Sequence, residues 1–163
     1  MKHTFKVAPS GDREIVITRD FDAPRELVWD TMSKPELLRR WVLGPPGWEM
    51  TVCEEDARVG GQFRWAWAGP EGAALSMSGE YLEINRPEKV VRTEKFDVGT
   101  GHPEMVEQLA TLELAEDGPR TRLMITLQYP SKEARDGAVA SGMEHGMAAS
   151  YDRLDDVLQG VSV

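Results

Sequence analysis

One cysteine, Cys53, stands in the whole chain, so no internal disulfide can form and a reducing compartment is expected. Histidine is nearly as scarce. His3, His102 and His145 share no metal-ligand spacing, and no metal site is predicted. The nucleophile-elbow GxSxG, the P-loop and GxGxxG are all missing, so the commonest hydrolase, phosphate-cradling and dinucleotide readings fall away and no cofactor is expected. Positive charge is in deficit: 19 Lys and Arg face 28 Asp and Glu, for a net charge of −9. Nucleic acids and anionic membranes need clustered Lys and Arg, so neither is an expected partner. No apolar run approaches the roughly 20 residues of a membrane span. The opening MKHTFKVAPSGD has no apolar signal core. These features predict a cytoplasmic protein with no membrane insertion.

What is present suits one domain. A chain of 163 residues buries roughly 68–70% of its unfolded surface, and residues 1–163 read as a single unit with 1–12 as a loose lead-in. Residues 13–21 (REIVITRDF) are β-branched and predict a strand. Asp22-Ala23-Pro24 starts a short helix ending near residue 32. Ser33-Lys34-Pro35-Glu36 has a capping-box pattern and opens a second short helix over 35–41, with Leu37, Leu38 and Trp41 on its buried face. Leu43-Gly44-Pro45-Pro46-Gly47 is loop. Strands are then expected over 48–55, 61–68, 74–84, 90–96, 106–115 and 121–129, separated by Gly- and Pro-rich turns. Ser131 caps a single long helix over 131–158. Its inner stripe carries Val139, Met143, Met147, Leu154 and Leu158, and Gly137, Gly142 and Gly146 interrupt it. Three mid-helix glycines, each costing roughly 1 kcal/mol against Ala, suggest that something lies close against this helix. The element order is an α+β layer architecture, with a curved antiparallel sheet gripping one long helix.

Four stretches together resemble the START-like, helix-grip SRPBCC superfamily: FDAPRELVWDTMSKPELLRRW, DARVGGQFRW, SGEYLEINRPEKVV and YPSKEARDGAVASGMEHGMAASYDRLDDVL. Within it they are similar to the group named after the activator of the ninety-kilodalton heat-shock-protein ATPase. The resemblance implies a helix-grip START-like fold: about six to seven antiparallel strands around a long C-terminal helix, with two short helices after the first strand. It also implies a deep cavity between the sheet and that helix. Its members include lipid carriers, hormone receptors, polyketide cyclases and co-chaperone domains, so fold alone does not select the ligand. A chaperone is the partner implied by the group's name, and a homodimer is a further assembly to consider.

The candidate site follows from strand parity and helix phase. In QFRWAWAG, Phe63, Trp65 and Trp67 share one face, either as core or as walls of an apolar pocket. Trp41 and Trp48 flank the proline loop, as pocket mouth or as plain anchors. Met143 and Met147 lie one turn apart on the inner helix face and suit either core filling or ligand contact. Tyr151 and Tyr81 offer hydroxyls, although Tyr81, Leu82 and Ile84 do not alternate cleanly. Gln108 shares parity with Ala110 and Leu112 as an inward polar group, and Met77 completes the candidate lining. His145 falls opposite Met143, toward solvent. His102, near Asp97 and Glu104, is a remote acid–base or metal candidate. Asp152, Asp155 and Asp156 around Arg153 read as a solvated face with local ion pairs.

The expected function is therefore binding of a small, largely apolar molecule. Two alternatives differ in class. A cyclase, dehydratase or hydrolase would need an inward acid or base, which a buried His or carboxylate beside a Tyr would supply. A protein-interaction module, co-chaperone-like or regulatory, would show an exposed apolar patch of several hundred Å².

Overall fold

The computed structural model describes residues 5–42, 47–97 and 107–161. Eight strands form one sheet: β1 (Lys6–Ser10), β2 (Glu14–Phe21), β3 (Glu49–Glu55), β4 (Gln62–Ala68), β5 (Ala74–Asn85), β6 (Lys89–Asp97), β7 (Glu107–Asp117) and β8 (Arg120–Gln128). Their order is β1-β2-β8-β7-β6-β5-β4-β3, and every pairing is antiparallel. Two helices, α1 (Arg25–Ser33) and α2 (Pro35–Trp41), make the crossing from β2 to β3 at the far edge. Helices α3 (Lys132–Ala140) and α4 (Met143–Val161) follow β8.

The α+β helix-grip architecture matches expectation, with three corrections. The strands number eight rather than six to seven, because part of the supposed lead-in is structured: residues 6–10 pair with β2, from Lys6 opposite Thr18 to Ser10 opposite Glu14. This edge strand contains Pro9, whose missing N–H an edge position tolerates. The capping box is not made. Lys34 occupies the N-cap of α2 with no side-chain cap, while the Ser33 hydroxyl donates to the Trp29 carbonyl at 2.5 Å. The last helix is two helices. Gly142 turns left-handed at φ +80 and divides α3 from α4, a conformation that L side chains resist and glycine adopts freely. A Cβ on Gly137 or Gly146 would meet nothing within 4 Å, so neither glycine marks a close approach. The Ser131 cap does form, accepting from the Ala134 N–H at 3.1 Å.

Period-2 alternation builds the inner face. In β2, Ile15, Ile17, Arg19 and Phe21 point inward; in β8, Thr121, Leu123, Ile125 and Leu127 do so. Arg19 is the unexpected member, at 1% exposure. Its guanidinium binds Asp152 at 3.0 Å and Asp155 at 2.8 Å, so two acids of the supposed solvated face instead fasten α4 to the sheet. Beneath α4 the space is filled: Tyr151 touches the rings of Phe5, Phe21 and Trp41 at centroid distances of 6.2, 5.9 and 6.0 Å, with Leu154 and Leu158 buried beside it. None of the helices is long and apolar enough to cross a membrane, among the described residues.

Candidate functional site

A cavity of about 560 Å³ opens between the α1–α2 corner and the inner face of β3 and β5–β8. It lies beside α4 rather than beneath it, since no residue of α3 or α4 lines it. Trp29 and Met32 of α1 form the apolar wall on the helix side. Ile84, Val90, Leu112 and Leu123 form it on the sheet. Three polar side chains, Glu55, Tyr81 and Arg92, stand together among these apolar walls. At the mouth, Asp30 binds Arg86 at 3.0 Å and Lys34 at 3.8 Å, tying α1 and α2 to the β5–β6 turn.

A β-bulge explains how Tyr81 and Ile84 both reach this space. The register of β5 against β6 shifts between Tyr81 and Glu83. Such an extra residue re-aims the strand that follows. Tyr81 is buried, Leu82 is turned outward at 45% exposure, and Ile84 comes back to the cavity. This bulge is also the reason that the sequence around Tyr81 does not alternate.

The polar groups form one network on adjacent strands. Tyr81 stands opposite Arg92 across β5–β6, and Glu94 stands opposite Gln108 across β6–β7. The Tyr81 hydroxyl donates to Glu55 Oε1, and Trp65 Nε1 donates to Glu55 Oε2 at 2.7 Å. Arg92 donates through Nε at 2.9 Å and Nη2 at 2.8 Å to Glu94, whose other oxygen accepts from Gln108 Nε2 at 2.8 Å. The guanidinium also lies over Phe63 at 4.7 Å and Trp65 at 5.2 Å. Burial pushes the Glu55 carboxyl above its ordinary range, against the pull of the Tyr81 and Trp65 hydrogen bonds and of Arg92. Burial likewise raises the Tyr81 phenol, and Cys53 rises through burial and then the nearby Glu55 charge. For Arg92, burial works to lower the value, but Glu94, Tyr81 and Glu55 together outweigh it, so the guanidinium stays charged. Among the described residues no group of three or more His, Cys, Asp or Glu side chains is placed to hold a metal ion.

Of the expected lining, Tyr81 and Leu112 face the cavity. Phe63, Trp65, Trp67 and Met77 are buried on the same sheet face but belong to the packed core next to it. Trp41 donates its Nε1 to the Thr31 carbonyl at 2.9 Å and is core; Trp67 likewise anchors to the Val42 carbonyl at 2.9 Å. Trp48 lies half-buried on Gly69, where a Cβ would come within 2.4 Å of its ring, and does not line the mouth. Met143, Met147 and Tyr151 pack at the α4 side. Gln108 is inward, as its parity implies, and supports Glu94. His145 is exposed, while His102 and Glu104 fall outside the described residues.

Sequence reasoning missed Glu55, Arg92 and Glu94. Arg92 and Glu94 share parity in β6, and Glu55 shares it with the inward Cys53, but only cross-strand register brings the three together.

This arrangement of strands, two early helices and a terminal helix coincides with known proteins. Residues 22–159 match the Activator of Hsp90 ATPase homolog 1-like protein family. The chain belongs to that family. A crystal structure of a Rhodobacter sphaeroides protein is 31% identical and superposes with a TM-score of 0.86, covering 95% of this chain and 98% of the other. A solution structure of an Arthrobacter aurescens protein is 28% identical, with a TM-score of 0.83 over 95% of this chain and 91% of the other. A Mycobacterium smegmatis protein, at 24% identity and a TM-score of 0.84 over 98% and 99%, shares the fold. No curated protein matches the chain in sequence.

Proposed function

We propose that this protein binds a small, largely apolar molecule carrying one polar group, in the cavity between the α1–α2 corner and the sheet. The observation that carries this reading is the cavity of about 560 Å³, apolar on most sides and polar at Glu55, Tyr81 and Arg92. Ligand sites have that composition: apolar walls for affinity and a few placed polar groups for orientation. Burial of the ligand's apolar surface contributes roughly 25 cal/mol per Å². The fold is that of a family whose members often hold hydrophobic ligands, which agrees with this reading.

The test is a cavity-filling substitution. Leu112→Trp places an indole where the wall now borders open space. It is expected to leave the melting temperature unchanged or raise it, and to abolish displacement of an environment-sensitive dye by aromatic and aliphatic compounds. A loss of about 1–3 kcal/mol, the usual result of overpacking a filled core, with dye binding intact would sink the assignment.

A second reading is favoured by one observation, the buried contact between Glu55 and Tyr81 inside the cavity. A carboxyl raised by burial and paired with a phenol has the properties of a general acid–base group. Glu55→Gln would then abolish turnover of a bound compound while preserving its binding. The interaction-module alternative has less support. The exposed large apolar side chains among the described residues, Val59, Leu82, Phe96, Met124 and Val139, sit on a loop and four separate elements.

A further inference from the structure

The way into the cavity runs between two lips. One is the end of α1 and the start of α2, with Asp30, Ser33 and Lys34; the other is the end of β5 and its turn into β6, with Ile84 and Arg86. Both lips are fixed from behind. The Ala23 carbonyl, just before α1, accepts from the buried Thr121 hydroxyl at 2.7 Å, and Val28 is fully buried. The turn is tied to β7 by the Leu114 N–H, which donates to the Glu88 carbonyl at 2.8 Å. Among the described residues no backbone hydrogen bond joins the two lips to each other. Side chains do so: the Arg86 guanidinium reaches Asp30 at 3.0 Å at the mouth. A second pair, Arg25–Glu88 at 3.9 Å, is looser, because Arg25 also serves Glu116 at 3.6 Å and the Leu114 carbonyl at 3.5 Å.

We infer that the Asp30–Arg86 ion pair is a side-chain bar across the cavity mouth, closed when paired and open when Arg86 swings into solvent, and that it sets the rate of ligand exchange. This rests on the cavity being the binding site proposed above. The pair is a poor structural staple, since Arg86 is about half exposed and exposed pairs add little to stability. An equally exposed pair, Lys132–Asp136, lies on α3, which does not line the cavity. What sets Asp30 apart is a second cation. Lys34, one turn along, stands 3.8 Å from the same carboxylate. When Arg86 leaves, Asp30 keeps a partner, so the open arrangement retains an ion pair and lies close in free energy to the closed one. Two arrangements of similar free energy are what a switch needs.

The bar acts on access rather than on the bound molecule. Entry and exit use the same opening, so a change in the open fraction scales association and dissociation alike and leaves their ratio unchanged. An exposed pair is strong enough to change that fraction by about two- to fivefold. It is also screened by salt, since the Debye length at 1 M is about 3 Å, the length of the contact itself.

The experiment follows the uncharged dye prodan by stopped-flow fluorescence on the full chain, at low salt and at about 1 M sodium chloride. Asp30→Lys gathers three cations at the mouth. It should speed association and dissociation together by about two- to fivefold, with Kd nearly constant. Adding Arg86→Glu restores an opposite-charge pair across the opening and should return both rates toward the parent's, a rescue that general loosening of the fold would not give. Salt should speed exchange in the parent and fail to do so in Asp30→Lys. Unchanged rates in Asp30→Lys, a change confined to dissociation, or a double variant that stays fast overturns the bar and leaves the cavity as a binding site. Prodan that fails to bind saturably, or that binds Leu112→Trp as well as the parent, overturns both.

Discussion

Removing the charge of Glu94 tests how the interior holds Arg92. Both residues are nearly inaccessible, Glu94 at 6% and Arg92 at 8% exposure. Glu94→Gln keeps the shape and an acceptor oxygen but strips the countercharge from a guanidinium whose Nε and Nη2 both point at it. Breaking a buried ion pair by deleting one partner costs about 3–5 kcal/mol. Two features offset part of this. The rings of Phe63 and Trp65 lie under the guanidinium, each contact worth roughly 0.5–2 kcal/mol when desolvated, and Glu55 already acts on Arg92. A net loss of about 2–4 kcal/mol is expected. At about 2–4 °C per kcal/mol for a chain of this size, the melting temperature should fall by about 4–16 °C. The double variant Arg92→Met/Glu94→Gln removes both charges and still offers an acceptor to Gln108. It should recover most of the loss, since replacing a buried pair by neutral groups is often near-neutral. The measurement is urea unfolding followed by tryptophan fluorescence and circular dichroism on all four members of the cycle. A Glu94→Gln variant within about 0.5 kcal/mol of the parent, or a double variant whose loss equals the sum of the singles, would refute the reasoning.

Two further outcomes follow from particular positions. Gly137→Ala, in open space within α3, should stabilise by about 0.5–1 kcal/mol, whereas Gly142→Ala, at φ +80, should destabilise by about 1–2 kcal/mol; thermal melts giving the same sign for both would contradict the broken helix. Because burial raises the Glu55 carboxyl in the folded state, its contribution to stability is fully present below the unfolded carboxyl value and lost as pH rises through the folded one; Glu55→Gln should flatten that part of the stability profile, and an unchanged profile would place Glu55 in contact with water.

Much of the fold was legible along the chain because strand parity is a local property. Ile15, Ile17, Phe63, Trp65 and Trp67 face inward as two-residue alternation requires. Ser131 caps its helix through its own hydroxyl, again within a few residues. Local chemistry also left two errors. Gly142 could read as a tolerated interruption or as a left-handed break, and only the backbone path separates the two. Asp152 and Asp155 have Arg153 between them in sequence, and nothing nearby along the chain announces that Arg19, more than a hundred residues earlier, comes to rest against them.

The cavity belongs to tertiary structure. Its polar wall joins Glu55 of β3, Tyr81 of β5 and Arg92 of β6, with Glu94 and Gln108 supporting Arg92 from behind. Each looks ordinary in its own strand. The bulge after Tyr81 and the register across β5, β6 and β7 bring them together. The position of the empty space was likewise decided by what fills its surroundings. Tyr151 meets Phe5, Phe21 and Trp41 beneath α4, so the opening falls to the α1–α2 corner. By itself the sequence determined the fold class and the inward face of most strands, because both rest on spacing between near neighbours. Which inward residues border a void and which border one another depended on volumes and charges arriving from distant parts of the chain, and only the folded protein could decide that.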